Sequence, residues 1–347
     1  MSGGLLAQPR VRLGTLPTPL RPAPRLSEAA GVEIWLKRDD LTGLGLGGNK
    51  VRGLEYLIAD AQLRGSDTLV TGGGPGSNWA MLAALAVRIH GMDTVLVCYG
   101  DPVPPVGNMA LAELAGAEVR FTGSPDRESV DRGVEQVVAE LRAQGRRPYP
   151  LARGGATAVG ALGYVAASLE LAGQLAETGL APAELWLATG SGGTQAGLRA
   201  GAAWLRPGYE VVGVTVSRPV WECAARIDRL ADKVASLILT PIEGSCPVVL
   251  GGHIGPGYGY RSGAGDAAAR LVASTEGVFL DPVFAAKAMA GLLAAARDGA
   301  VPGPVVFLVT GGAPTLFTAP GPGTEGADPT PSANSCPNAS PTSSTSK

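Results

Sequence analysis

The sequence predicts an α/β fold of two domains, each a mainly parallel sheet flanked by helices. Three observations carry this. Strand-like and helix-like stretches alternate from residue 31 onward. The strand-like ones, such as SDTLVTGG and DTVLVCYG, are short continuous apolar runs, the pattern of strands buried on both faces. Glycine-rich loops, GGGPGSN and GSGGTQ, stand where a strand passes into a helix. At 347 residues the chain is long enough for two such units and a substantial core.

The first thirty residues, with LPTPLRPAPRL, are proline-rich and read as an extended strap over a surface rather than a helix. GVEIWLKRDD reads as a short strand ending in charge, and KVRGLEYLIADAQLRG as a helix that opens at Lys50. There follow the strand SDTLVTGG, the helix SNWAMLAALAVRIHG, the strand DTVLVCYG, the helix GNMALAELAG, the strand AEVRFTG and the helix DRESVDRGVEQVVAELRAQG. A second series starts near Ala156 with a long Ala/Leu/Gly helix to about Gly179. It continues through the strand AELWLATG, the loop GSGGTQ, a helix to Leu205 and the strand YEVVGVTVS, and ends in PVVFLVTGG. The expected division is a smaller domain over 51–153 inserted in a larger one made of 1–50 and 154–318. Residues 319–347 hold almost no large apolar side chains to offset the entropy of ordering, so a disordered tail is expected there.

Charged residues make up 17% of the chain and the formal net charge is -2, which argues against a nucleic-acid or anionic-membrane partner and for a small-molecule site. The N-terminus lacks an apolar signal-like run and no stretch reads as a membrane span, so a cytoplasmic protein is expected. The four cysteines are far apart and the histidines are two, which suits neither a zinc site nor a disulfide framework; no metal is expected, and the thiols should be reduced.

Lysine is scarce: Lys37, Lys50, Lys233, Lys287 and Lys347 are all there are. Lys50 follows the loop Gly47-Gly48-Asn49, a weakly charged setting in which desolvation would favour the neutral, nucleophilic amine; a solvated lysine at a helix start is the plain alternative. Gly43-x-Gly45-x-x-Gly48 matches the dinucleotide fingerprint only literally, because KRDDLT separates it from the preceding strand. Gly190-Ser191-Gly192-Gly193-Thr194 is better placed between strand and helix to offer backbone N–H groups and two hydroxyls to one anion. Without a GK[ST] ending it suits a phosphate monoester rather than a nucleotide, and a simple turn stays open. Ser77 and Asn78 read as ordinary helix caps or as the holders of a substrate carboxylate.

The order PTPL, KRDD…GGNK, a glycine loop with SN, TGSGGT, DPVF and VTGG resembles fold-type II pyridoxal-phosphate enzymes, whose architecture is that of the tryptophan synthase β chain. Within them it is similar to the D-cysteine desulfhydrase / 1-aminocyclopropane-1-carboxylate deaminase family, over roughly Leu13 to Phe317. The resemblance implies a pyridoxal 5′-phosphate cofactor, a small amino-acid substrate, a homodimer, and α,β-elimination releasing ammonia and a 2-oxo acid. It implies Lys50 as the Schiff-base lysine and carrier of the α-proton, and Asn78 on the cofactor's phenolic oxygen. Ser77, Asn78 and Trp79 would sit at the substrate carboxylate, Gly190 to Thr194 around the phosphate, Thr310 near the pyridine nitrogen, and Tyr258 as an active-site tyrosine.

The chain departs from the family's pattern at four positions. Phe284 stands where tyrosine is usual, as a pocket or a packing residue, and Ala285 where the family has glutamate or threonine. With Ala285 and Thr310 at the pyridine nitrogen, that nitrogen should be neutral, which suits loss of a good β-leaving group better than ring opening. Gly76 and Trp79 replace polar side chains, so the substrate should differ from D-cysteine. β-Replacement in a specialised biosynthetic pathway, or a non-catalytic binding scaffold, are the alternatives.

Overall fold

The computed structural model describes residues 4–243 and 246–317; the expected tail at 319–347 lies outside them. One sheet has six strands in the order β1-β2-β10-β7-β8-β9: β1 (Leu20–Pro22), β2 (Ile34–Arg38), β7 (Glu184–Thr189), β8 (Glu210–Thr215), β9 (Val248–Leu250) and β10 (Val305–Val309). All its pairings are parallel except β1 on β2. The other sheet is wholly parallel, in the order β5-β4-β3-β6: β3 (Thr68–Gly73), β4 (Asp93–Cys98), β5 (Glu118–Phe121) and β6 (Pro148–Pro150). The helices are α1 (Pro24–Ala30), α2 (Lys50–Leu63), α3 (Asn78–Arg88), α4 (Asn108–Leu114), α5 (Ser129–Ala143), α6 (Ala158–Thr178), α7 (Gly193–Leu205), α8 (Val220–Ile238), α9 (Gly263–Glu276) and α10 (Ala285–Arg297).

The apolar strands are buried on both faces, as parallel strands between helices must be. Along β10 the side chains alternate, Val305, Phe307 and Val309 entering one core and Val306 and Leu308 another. Each such side chain contributes roughly 1.5–3 kcal/mol by leaving water. The proline-rich start is not wholly extended. β1 pairs with β2, and Pro24 opens the short helix α1 at a position where its missing N–H is not needed, while Gly31 closes it at φ +69°. β6, a Pro-Tyr-Pro strand, has no strand signal in its sequence. It lies at a sheet edge, where a proline costs no ladder bond.

Contrary to the sequence reading, one helix is long and apolar enough to cross a membrane, α6. More than half of its most apolar stretch is buried within the protein, and two glycines bring it against its neighbours. A Cβ on Gly163 would lie 2.3 Å from the Arg52 carbonyl oxygen of α2, and one on Gly197 of α7 would lie 2.2 Å from that of Ala161. The close approach of small residues accounts for its composition. Cys98 and Cys223 are free buried thiols, as expected, whereas Cys246 is disulfide-bonded and corrects the expectation of reduced thiols throughout.

Where β2, α2 and α6 meet, a cluster of charges is shut away from water. Arg52 donates from Nε and Nη2 to the two Asp39 oxygens, both at 2.8 Å, and from Nη1 and Nη2 to those of Glu170 at 2.9 and 2.8 Å. Tyr164 donates to Asp39 at 2.5 Å, and Lys37 donates to Glu170, to Gln174 and to the Thr18 carbonyl. Burial, the largest single influence, would raise the Asp39 pKa, but the Arg52 charge, the hydrogen bonds from Arg52 and Tyr164 and the Lys37 charge together outweigh it and the net shift is downward. Removing one partner of such a cluster leaves a buried charge unpaired, at a cost of about 3–5 kcal/mol.

Arg52→Met should therefore lower the unfolding free energy by about 3–5 kcal/mol in urea titrations monitored by circular dichroism. A depressed folded pKa stabilises above the unfolded carboxylate value, about 4, and that contribution is lost as pH falls through the folded value. Wild-type stability should accordingly decline below about pH 4, and this decline should be shallower in Arg52→Met.

Candidate active site

Lys50 is the first residue of α2, two positions before Arg52, so it points away from the ion cluster while the cluster holds its helix. The loop before it is pinned from both sides. Thr42 Oγ1 accepts from the Gly48 N–H at 2.8 Å and donates to the Gly48 carbonyl at 3.0 Å, and the Asn49 N–H donates to the Thr310 carbonyl at 2.9 Å. Glycine is required here. At Gly47, φ is +74° and a Cβ would sit 1.9 Å from the Asp40 carbonyl oxygen; a Cβ on Gly311 would sit 2.7 Å from Gly48 Cα.

Lys37 and Lys287 are spoken for, the first by Glu170 and the second by the carbonyls of Ile254 and Gly257 at 2.6 and 3.1 Å. Lys50 is half-buried at the bottom of a cavity, and burial, with no charged neighbour contributing, lowers its pKa to about 8. A good fraction of its amine is thus neutral near physiological pH, the form that acts as nucleophile or base.

Across from it, β3 passes through Gly72-Gly73-Gly74 into α3. Ser77 is the N-cap, its hydroxyl accepting from the Ala80 N–H at 3.2 Å, which leaves the hydroxyl proton and the first N–H groups of the helix for a ligand. Asn78 accepts at Oδ1 from Asn108 Nδ2 at 2.6 Å, so its own amide N–H groups are turned outward as donors. Trp79 lines the same cavity, with most of its side chain spent on packing. It is 3% exposed, its indole N–H donates to Thr71 at 2.9 Å, and its ring fills the space where a Cβ on Gly155 would be, 2.4 Å away. It forms part of the cavity wall.

The third element is the turn from β7 to α7. Gly192, at φ +88°, caps α7, and Gly190, Ser191 and Thr194 line the cavity with it, while Gly193 lines a small adjoining one shared with Lys50. Thr194 Oγ1 accepts from Asn49 Nδ2 at 3.0 Å and so ties this cradle to the lysine loop. Tyr258 and Phe284 close the side, their rings edge to face with centroids 5.9 Å apart; burial raises the Tyr258 pKa, keeping its hydroxyl a neutral donor. Asp281 explains the DPVF stretch structurally. Its oxygens accept from the N–H groups of Val283, Phe284 and Ala285, and burial raises its pKa to about 6. Ala285 is buried and presents no carboxylate to the cavity.

Every site residue read from the sequence therefore lines one cavity of about 320 Å³ or its small annex, including Thr310 at the end of β10. Sequence reasoning missed Tyr99, Asn108, Arg127, Arg153, Arg218 and Arg226. They come from separate segments whose local patterns are those of ordinary turns and helices, and only tertiary contact marks them.

Residues 11–311 match the family model described as pyridoxal-phosphate dependent enzyme. The chain is 39% identical over 323 residues to the D-cysteine desulfhydrase of Salmonella choleraesuis (strain SC-B67), covering 89% of this chain and 95% of that protein. Among solved structures it is similar to an ACC deaminase homologue, with TM-score 0.85 and 37% identity, covering 90% of this chain and 95% of the other. The serine racemase from Dictyostelium discoideum, at TM-score 0.63 and 19% identity over 85% and 92% of the two chains, shares the fold.

The amine of Lys50 offers a direct check. In cofactor-free protein, acylation of Lys50 by a small amine-reactive ester, read by peptide mass spectrometry, should rise with pH along a curve centred near 8. A curve centred at the ordinary lysine value of 10.5 would contradict the burial argument.

Proposed function

From the premise that the chain belongs to the family of pyridoxal-phosphate dependent enzymes, we propose that it catalyses α,β-elimination on a small β-substituted amino acid, releasing ammonia and a 2-oxo acid. The observation that carries this is the convergence of Lys50, the Ser77-Asn78 helix start and the Gly190–Thr194 cradle on one cavity. The residues fit pyridoxal 5′-phosphate. A lysine of lowered pKa meets its aldehyde, the glycine cradle leaves room and N–H groups for its phosphate, and the outward amide of Asn78 suits its phenolic oxygen. Thr310, which lines the same cavity, would offer the cofactor's ring nitrogen a hydroxyl rather than a carboxylate. Once bound, the cofactor supplies the electron sink that acidifies the substrate Cα–H.

The chain's own residues do the rest. Ser77 and the free N–H groups of α3 hold the substrate carboxylate at the helix's positive end. Lys50, part neutral near pH 8, takes the proton from Cα. The Cβ–X bond breaks with its electron pair leaving on X, X takes a proton from the neutral Tyr258 hydroxyl that lines the same cavity, and water then hydrolyses the released enamine to ammonia and the 2-oxo acid. Phe284 and Trp79 supply apolar wall that limits water.

A β-replacement reading has one observation in its favour. A Cβ on Gly76 would touch nothing within 4 Å, so the loop carrying Ser77 is unobstructed at the position where a side chain would narrow it. We also read 51–153 as a smaller inserted domain, supported by the four-stranded sheet lying wholly within it, and the protein as a cytoplasmic homodimer, supported by the sequence resemblance.

The test is a panel of D- and L-amino acids with β-leaving groups, assayed for ammonia and 2-oxo acid with and without added thiol. Wild type should release both from at least one, and Lys50→Ala should lose roughly 10²- to 10⁴-fold or more in rate. A cofactor-free, inactive wild type would sink the proposal, and a thiol adduct replacing the oxo acid would move it to β-replacement.

A further inference from the structure

Four arginines converge on the mouth of the same cavity, and the elimination chemistry above uses none of them. Arg127, in the turn before α5, has its guanidinium carbon 4.1 Å from the centroid of the Tyr258 ring. Arg153, after β6, is fastened behind it: Nη1 donates to the Arg127 carbonyl at 2.8 Å, and Nε and Nη2 donate to the two oxygens of Asp131 at 3.1 and 2.8 Å. From the opposite wall come Arg218, whose Nε donates to Glu222 at 2.8 Å, and Arg226 of α8. Among the described residues, Arg127 and Arg226 have no carboxylate within 4.0 Å. The cations also bear on one another. Partial burial and then the charge of Arg218 push the Arg226 pKa down, with Arg153 and Arg229 adding to it. Such a cluster is unfavourable until anions enter it.

The cofactor's phosphate answers for one side of the cluster. Arg218 Nη1 donates to the carbonyl of Gly190 at 3.3 Å, and Arg226 precedes Ile227, whose side chain would be 3.2 Å from a Cβ on Gly192. Arg127 is differently placed. It lies over the face of Tyr258, the residue assigned to the departing β-substituent, and pairs with no carboxylate among the described residues, so its guanidinium can take a planar or tetrahedral oxyanion.

We propose that this cavity selects amino acids whose β-substituent ends in an oxyanion, a carboxylate, sulfonate or phosphate, with Arg127 as the recognition residue and Arg153 as its support. The inference rests on the elimination reading and names its substrate class. The bond change is the one already given: Cβ–X breaks, the electron pair stays on X, and Arg127 holds the anionic end of X as it leaves. Arg127 and Arg153 come from the part of the chain that carries the four-stranded sheet, and Tyr258 from the part that carries the other. An anionic substrate would therefore bridge the cleft and draw its two sides together.

The experiment compares, on the holoenzyme, two substrates that differ only in charge, S-carboxymethylcysteine and its neutral isostere S-carbamoylmethylcysteine, in both configurations. Cysteate and O-phosphoserine serve as the sulfonate and phosphate arms, and O-acetylserine as the neutral ester. At least one anionic member should show a kcat/KM tenfold or more above its neutral counterpart, and the ratio should shrink with added salt. Arg127→Met should bring the ratio close to one and Arg127→Lys should restore part of it. Cofactor retention, read from the absorption of each variant, separates a loss of phosphate binding from a loss of selectivity. Neutral and anionic substrates turned over equally, a ratio unmoved by Arg127→Met, or variants that merely shed cofactor would each overturn this inference and leave elimination standing. Turnover of no amino acid of either kind would overturn the elimination reading itself.

Discussion

Arg52 is 2% exposed and Asp39 wholly buried, and every donor edge of that guanidinium is occupied. Two charges taken out of water are tolerated only because each finds its partners in place, so the cluster exists in one geometry or at a cost of several kcal/mol. That geometry joins the end of β2, the first turn of α2 and the middle of α6. The lysine of the site sits two residues from the arginine, so its position is inherited from the cluster. A helix start that merely packed on apolar neighbours could slide by fractions of an ångström, whereas one held by bidentate ion pairs cannot.

The same logic runs through the glycines near Lys50. At Gly47 and Gly311 backbone meets backbone more closely than a side chain permits, and the approach of Gly311 to Gly48 joins the β2–α2 connection to the end of β10. The Thr42 and Asn49 hydrogen bonds then lock the join, and the Asn49–Thr194 contact extends it to the anion cradle. Three segments distant in sequence thus become one rigid floor. On that floor an amine of lowered pKa needs no charged helper, because enclosure alone disfavours its ammonium form.

The upper part of the cavity is built on different terms. Its floor is nearly uncharged, while its mouth carries guanidinium groups from both sides of the cleft, two of them paired with Asp131 and Glu222 and two without a carboxylate partner among the described residues. Burial and the neighbouring guanidinium charges push the Arg226 pKa down, while Arg127 lies over the ring of Tyr258.

Most of the strand and helix alternation could be read without coordinates, because apolar runs of four to six residues between glycine turns have few other folds open to them. So could Lys50, Ser77, Asn78 and the Gly190–Thr194 loop, because each lies at a strand-to-helix turn and carries its own local signal. The proline-rich start misled, since Pro24 opens a helix as readily as it breaks one. Nothing local says that the Trp79 indole donates to Thr71 and packs against Gly155 while lining the cavity. The sequence by itself determined which backbone loops could hold an anion and which lysine could be reactive, for those properties follow from neighbours along the chain. Only the tertiary structure decided that Arg127, Arg153, Arg218 and Arg226 share one mouth and that Asn108 turns the Asn78 amide. Charge pairing and burial depend on distance in space, and residues a hundred positions apart carry no local trace of it.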